Sequence, residues 1–173
     1  MKKKSTIIVA AVLAALALGV AVLAVLNGKN AAAKQKLQSD AVFLIVAHGA
    51  EYRVSMEELQ AMGPVAFEAN YKKSGKAAET RAFTGVPFAD VLRAKRIDTD
   101  GLKSAAFAAA DGYASALPIE DALDGSNCYI AVSMNGEPLG TLESGGSGPF
   151  RMVMAHDPFS QRWCSFLTDV TLQ

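Results

Sequence analysis

The sequence has few of the residues that usually bind metals. It contains two cysteines, Cys128 and Cys164, and two histidines, His48 and His156, in 173 residues. Structural zinc sites take their ligands from closely spaced pairs, and these four residues do not form such pairs. We therefore predict no metal ligand and no catalytic residue among them.

The two cysteines leave two alternatives open. Outside the cytoplasm they could form a disulfide, because oxidising compartments allow such bonds. Cys128 and Cys164 each lie, however, in an apolar run that is typical of a strand. We favour two separate buried thiols.

The chain also lacks an excess of basic residues where it is expected to fold. Its 17 Lys and Arg residues balance 17 Asp and Glu residues, so the formal net charge is zero. From Ala41 onward, however, 11 basic residues stand against 16 acidic ones, which leaves a net charge of −5. An acidic domain without a basic surface binds nucleic acids poorly. We therefore expect no nucleic-acid partner.

A long apolar run is present at the N-terminus. Three lysines at positions 2 to 4 precede an uncharged stretch from Thr6 to Leu26. As a helix this stretch would be about 30 Å long, the thickness of the hydrocarbon core of a bilayer. A cleaved signal peptide usually has a shorter apolar stretch, although alanines at positions 31 and 33 offer a cleavage pattern. We predict a membrane anchor in residues 1–27, with a cleaved signal as the alternative.

The anchor determines the expected location of the rest of the chain. A span this close to the N-terminus usually acts as an export signal, so we place the following domain on the extracytoplasmic side. If the segment is cleaved, the domain is secreted. Residues 28–40 have no apolar period and are predicted to be a linker, and residues 41–173 are long enough for one domain.

Short strands alternate with short helices from Ala41 onward. Apolar runs and alternating patterns predict strands at Val42–Ala47, Val65–Asn70, Thr80–Phe83, Lys103–Ala110, Cys128–Met134, Phe150–Ala155 and Trp163–Leu172. Ser55 and Glu58 form a capping-box signature for a short helix, and Pro87 can begin another. Asn135-Gly136 is the strongest hairpin signal. This pattern predicts an α+β domain of mostly short strands.

Several motifs follow one another in an order that is typical of a known family. Upstream, Thr84–Phe88 precedes a predicted helix, and the later motifs are Asp111-Gly112-Tyr113, Pro118–Leu123, Met134–Leu139, Gly148–Arg151 and Arg162-Trp163. In this order the sequence resembles the oxidoreductase molybdopterin-binding domain of the sulfite oxidase superfamily. The resemblance extends over about Tyr52–Gln173 and implies that superfamily's fold.

The resemblance also implies a cofactor that this sequence is poorly equipped to hold. The family ligates molybdenum through a cysteine after its first short helix, where this chain has Phe67–Tyr71 without cysteine. The family's histidine before the glycine-proline-arginine loop is replaced by Glu143–Gly146. Thiolate is the soft ligand that such a metal centre requires. We expect no bound cofactor and no catalysis, with molybdopterin binding as the alternative.

Five residues are candidates for contacts with a ligand or cofactor: Arg151, Gly148, Arg162, Asp111 and Tyr113. By resemblance, Arg151 matches an arginine that contacts the pterin, and Arg162 matches a basic residue that reaches its phosphate. The glycines before Arg151 could also expose backbone amides to an anion. For each residue a simpler alternative exists: solvated arginines for Arg151 and Arg162, and a turn with a packed tyrosine for Asp111 and Tyr113.

These observations support two classes of function. The first is a membrane-tethered, extracytoplasmic, non-catalytic module that binds a small ligand or a membrane redox protein. The second is a molybdopterin-dependent oxidoreductase, or a redox accessory subunit, with atypical metal ligation. Elemental and pterin analysis would distinguish them, because the cofactor carries the chemistry in such enzymes.

Overall fold

A computed structural model describes residues 40–72, 77–158 and 160–173, together with Leu16. The predicted anchor in residues 1–27 and nearly all of the predicted linker lie outside these residues. No helix within the described ranges is both long and apolar enough to cross a membrane. The described residues from Asp40 onward belong to one compact unit.

Ten strands and three α-helices are present in this part of the chain. The strands are β1 (Val42–Ala47), β2 (Ala50–Ser55), β3 (Val65–Tyr71), β4 (Glu79–Pro87), β5 (Ser104–Ala109), β6 (Ala114–Pro118), β7 (Cys128–Met134), β8 (Glu137–Pro138), β9 (Arg151–Met154) and β10 (Leu167–Leu172). The helices are α1 (Met56–Ala61), α2 (Phe88–Ala94) and α3 (Ile119–Leu123), and a 3₁₀ turn covers Ser160–Arg162. The predicted α+β domain of short strands with a few short helices is confirmed.

The first sheet has the strand order β2-β1-β10-β5-β6. β1 and β10 pair in parallel, and the other neighbours are antiparallel. Alternate residues of β1, namely Phe43, Ile45 and Ala47, are buried, as the two-residue period of a strand requires. β2 and β6 were not predicted: β2 contains several polar residues, and β6 is short and has small residues at its exposed positions.

The second sheet has the order β3-β4-β7-β8, and β9 also pairs with β7. The predicted hairpin at Asn135-Gly136 joins β7 to β8, and both residues have positive φ, as a type I′ turn requires. β9 leaves the glycine-rich loop through a cis Gly148–Pro149 bond and carries Arg151 as its first residue.

The first two short helices begin where the sequence predicts, and α3 also follows a proline. Ser55 caps α1 in a capping box, because its hydroxyl accepts from the backbone of Glu58 while the Glu58 carboxylate accepts from the backbone of Ser55. Pro87 and Pro118 directly precede α2 and α3, and their fixed φ suits the start of a helix.

The two sheets share one hydrophobic core. Phe43 of β1 meets Phe150, which directly precedes β9, in an edge-to-face contact at 5.1 Å. Phe88 of α2 meets Phe107 of β5 in the same geometry at 5.2 Å. Such aromatic pairs contribute about 0.5–1.5 kcal/mol beyond the area that they bury. The core therefore fixes β9, and with it Arg151, against the first sheet.

Candidate functional site

A cavity of about 430 Å³ opens where the end of β3 meets the segment that precedes β10. Its lining residues are Tyr71, Lys72, Asp111, Tyr113, Arg151, Ser160, Gln161, Trp163 and Ser165. Three of the five predicted residues, Arg151, Asp111 and Tyr113, therefore lie at one cavity. Arg162 and Gly148 do not line it.

Arg151 is the most unusual residue of the cavity. It is only 6% exposed, and its Nε and Nη1 atoms are shielded from solvent without a hydrogen-bond partner in the described part of the chain. Its guanidinium carbon lies 4.9 Å from the centre of the Tyr71 ring and 5.0 Å from that of Trp163. Burial lowers the pKa of Arg151 from its usual value. An arginine stays protonated nonetheless, so a buried charge faces the cavity without a carboxylate partner.

The two rings beside Arg151 are themselves held in place. Tyr71 and Trp163 stack with centroids 6.0 Å apart, and Trp163 meets Phe83 of β4 edge to face at 5.5 Å. The indole Nε1 of Trp163 donates to the carbonyl oxygen of Met154 at 3.0 Å. Cation–π contacts with such rings offset part of the desolvation of a buried guanidinium, by about 0.5–2 kcal/mol each.

The 3₁₀ turn forms one wall of the cavity. Hydrogen bonds from other parts of the chain hold it in place. The Ser160 hydroxyl accepts from the backbone of Lys72 and donates to its carbonyl. The Tyr113 hydroxyl donates to the carbonyl of Gln161 at 2.7 Å, and the Ser115 hydroxyl donates to that of Arg162 at 2.7 Å. The wall is therefore positioned by side chains rather than by a sheet.

Arg162 is the last residue of this turn and does not line the cavity. Its side chain holds the turn in place through ion pairs. Its guanidinium makes a two-pronged contact with Asp157, at 2.8 and 2.5 Å, and reaches Asp121 of α3 at 2.6 Å. These hydrogen bonds raise the pKa of Arg162. Asp157 is buried, so the pair is worth more than an exposed one. These contacts use one N–H group of each of the three guanidinium nitrogens.

We expect Arg162→Met to lower the free energy of unfolding by about 1–2 kcal/mol, because it leaves the buried Asp157 carboxylate without its partner. The estimate is modest because the Arg162 side chain is 39% exposed. Denaturant unfolding measures the change. Arg162→Lys is the matched control and should lose less, since it keeps the charge. Equal stability of wild type and Arg162→Met would contradict a positioning role.

The glycine-rich loop does not form the predicted anion-binding arrangement. The N–H groups of Gly145, Gly146 and Gly148 donate to carbonyls of the same segment, those of Leu142, Thr141 and Gly140 respectively. The expectation that these amides are exposed to an anion is wrong, because the loop uses them internally. Gly148 is instead required for packing: an added Cβ would lie 2.5 Å from the Cβ of Leu139.

Asp111 and Tyr113 form the predicted turn and also line the cavity. The Asp111 carboxylate accepts from the backbone of Tyr113 at 3.0 Å, as in an Asx turn, and both residues are exposed at the cavity mouth. The predicted turn is present, and it holds the carboxylate at the rim.

Both cysteines are free and buried, and neither lines the cavity. Trp163 and Ser165 face the cavity, whereas Cys164 between them is fully buried with its Sγ 3.7 Å from the carbonyl oxygen of Phe107. Side chains alternate in direction along extended backbone, which explains the difference. Burial raises the pKa of Cys164 to about 12 and raises that of Cys128 as well.

We expect neither thiol to react with iodoacetamide in the folded protein at neutral pH, because the thiolate is the nucleophile and burial disfavours it. In denaturant both should be alkylated. Mass spectrometry of the intact chain counts the added groups. Rapid labelling of one cysteine under native conditions would contradict the packing of that residue.

Several lining residues were not predicted. Tyr71, Ser160, Gln161 and Ser165 come from the end of a strand and from irregular segments, and no local motif marks them. The single tryptophan beside Arg162 was the available signal, because a buried tryptophan often borders a cavity with its polar edge hydrogen-bonded.

Fold and site together define a strand-rich α+β binding domain built around a buried arginine. The family model "oxidoreductase molybdopterin binding domain" matches residues 49–173. The chain therefore belongs to this family, and its superfamily was predicted correctly from the motif order. No curated protein matches the sequence.

Among solved structures, the chain is similar to the sulfane dehydrogenase SoxCD from Paracoccus pantotrophus, with a TM-score of 0.63 and 18% sequence identity. The match covers 78% of this chain but only 38% of that chain. At this identity the similarity establishes the fold alone. It confirms the sulfite-oxidase-like fold that the motifs predicted.

The residues at the cavity fit the organic, pterin part of the family's cofactor but not its molybdenum. The Nε and Nη1 donors of Arg151, which have no partner in the described residues, suit an anionic or hydrogen-bonding group of the organic part. The metal has no matching donors: no cysteine reaches the cavity, and the described residues contain no cluster of three His, Cys, Asp or Glu side chains that could hold an ion. The cavity therefore does not offer the cysteine thiolate through which the family ligates molybdenum.

Proposed function

We propose that this chain is a non-catalytic binding module that keeps the molybdopterin-binding fold and uses its cavity for a small ligand with an anionic group. The observation that carries the proposal is Arg151, a buried cation with unpaired donors at the cavity. Pockets of about 300–1,000 Å³ with few polar groups are typical of small-molecule sites.

The energetics of Arg151 favour a ligand that carries negative charge. Burying a guanidinium without a carboxylate partner has a desolvation cost of several kcal/mol, and contacts with Tyr71 and Trp163 offset only part of it. An anion that hydrogen-bonds to the guanidinium would recover about 1.5–3 kcal/mol for each such bond. The desolvation free energy of the buried cation would thus be offset when an anion binds. A cation held ready in this way is typical of a preorganised site.

Cysteine placement supports the non-catalytic part of the proposal. The chain has two cysteines, and both side chains are packed in the core with raised pKa values. The protein's share in this class of chemistry is to ligate and orient the cofactor. A scaffold whose two cysteines are packed in the core does not offer the thiolate with which the family ligates its metal.

We also propose that the module is tethered to a membrane on its extracytoplasmic side. Support comes from the sequence: three lysines precede an uncharged run from Thr6 to Leu26 that is long enough to span a bilayer. Fractionation, followed by protease treatment of spheroplasts, tests this location. Protection of a C-terminal tag until the cells are lysed would contradict it.

The non-catalytic assignment is tested by producing the full-length chain in a host that makes molybdopterin. We expect neither stoichiometric molybdenum by elemental analysis nor pterin fluorescence in the purified protein. A family member with an intact cysteine, purified in parallel, is the positive control. Stoichiometric metal in this chain would overturn the proposal.

The second candidate function is a molybdopterin-dependent oxidoreductase or redox accessory subunit with atypical ligation. Family membership and the retained Arg151 favour it. It requires pterin in the purified chain, and it requires Arg151→Ala to release that pterin. Pterin without molybdenum would favour an accessory role over an enzyme.

A further inference from the structure

The cavity carries opposite charges at two depths. Arg151 is buried at its inner end, and Asp111 is exposed at its mouth. The rest of the lining contributes the ammonium group of Lys72, the Gln161 amide and hydroxyl groups, among them that of Ser165. A single ligand can therefore meet a cation and an anion of this chain at the same time.

Asp111 is held at the mouth by its own turn. Its Oδ1 atom accepts from the backbone of Tyr113, and the Tyr113 hydroxyl is fastened to the opposite wall at the carbonyl of Gln161. This hydrogen bond joins the Asp111 turn to the wall that continues into Trp163, one of the two rings beside the Arg151 guanidinium.

We propose that the ligand is a zwitterion of the amino-acid class, with its carboxylate at Arg151 and its ammonium group at Asp111. This inference rests on the proposed function and specifies its ligand. A simple anion would pair with Arg151 but would leave the Asp111 carboxylate without a partner. A simple cation would meet the reverse situation, so only a molecule with both groups is attracted at both positions.

The dimensions of the cavity agree with such a ligand. Its volume of about 430 Å³ leaves room for a side chain beyond the two charged groups. Arginine prefers planar carboxylates, which it binds with two parallel hydrogen bonds. Tyr71 and Trp163 fix the guanidinium from the side, so little conformational freedom is lost when the carboxylate binds.

The test uses the full-length chain purified in mild detergent. A thermal-shift screen against the twenty proteinogenic amino acids identifies the strongest binder. Calorimetry then compares that amino acid with its deaminated acid and its decarboxylated amine, for example phenylalanine with 3-phenylpropionate and 2-phenylethylamine. We expect each singly charged analogue to bind about tenfold more weakly or worse, as the loss of one charge-assisted pair implies.

Two variants assign the two charges. Asp111→Asn keeps the acceptor of its turn and should bind the zwitterion and the deaminated acid equally well. Arg151→Met should bind none of the three. If the acid binds wild type as tightly as the amino acid, or if it binds and no amino acid does, the zwitterion inference is overturned while the proposed anion site stands. If none of the three shows binding that depends on Arg151, the zwitterion inference fails, and the proposed anion site fails with it when inorganic phosphate shows no such binding either.

Discussion

Replacing Arg151 with methionine is expected to raise the free energy of unfolding by about 1–3 kcal/mol and to abolish ligand binding. The guanidinium is buried, and two of its nitrogens have no partner in the described part of the chain. Methionine matches the arginine side chain as far as the Nε atom, needs no hydrogen bonds and makes favourable sulfur contacts with aromatic rings. The rings of Tyr71 and Trp163 would therefore keep a neighbour while the cost of the buried charge disappears. Chemical denaturation without ligand measures the gain.

Arg53→Met is the matched control. Arg53 lies in β2 and is exposed, so its replacement should change stability by less than about 0.5 kcal/mol. A clear loss of stability in Arg151→Met would mean that the two cation–π contacts outweigh the desolvation of the charge. In that case Arg151 would be explained by packing, and the argument for a ligand would lose its basis.

An increase in stability would place Arg151 among residues that a protein retains for function at a cost in stability. A ligand that binds only the folded state would then stabilise wild type and leave Arg151→Met unchanged. This difference separates a binding residue from a merely tolerated one. It needs no assumption about the identity of the ligand.

The fold was predictable where local chemistry determines local structure. The apolar run Val42–Ala47 became β1 with the same bounds, and Ser55 with Glu58 made the predicted capping box. The predicted final strand from Trp163 begins only at Leu167, because Phe166 has a positive φ that breaks the extended run. Such a break depends on tertiary contacts that the sequence does not display.

The site was predictable only in part, because a cavity is formed by residues that are distant in sequence. Family motifs pointed to Asp111, Tyr113 and Arg151, and these residues line one cavity. The residues next to Arg162 in the sequence do not indicate which groups it pairs with. In the structure its partners are the carboxylates of Asp121 and Asp157. The unpaired state of Arg151 is likewise a property of packing that no motif encodes.

Gly85→Ala is expected to destabilise the domain by about 3 kcal/mol or more. An added Cβ would lie 2.5 Å from the carbonyl oxygen of Ile130 and 2.7 Å from the Cα of Ala131. Both are backbone atoms of β7, which cannot move aside as the end of a flexible side chain can. The β4–β7 register also shifts between Thr84 and Gly85, and a glycine at such an irregularity marks a close approach of two backbones.

Gly125→Ala is the control for this substitution, because an added Cβ there meets only the Pro87 side chain at an ordinary 3.9 Å. It should change the free energy of unfolding by less than about 0.5 kcal/mol.

The Gly85 substitution should affect the cavity as well, because β4 pairs with β3, whose last residue is Tyr71 beside Arg151. Separating β4 from β7 should therefore also weaken ligand binding. Equal stability of the two variants would show that the β4–β7 contact is looser than described, and that Tyr71 is positioned by other contacts.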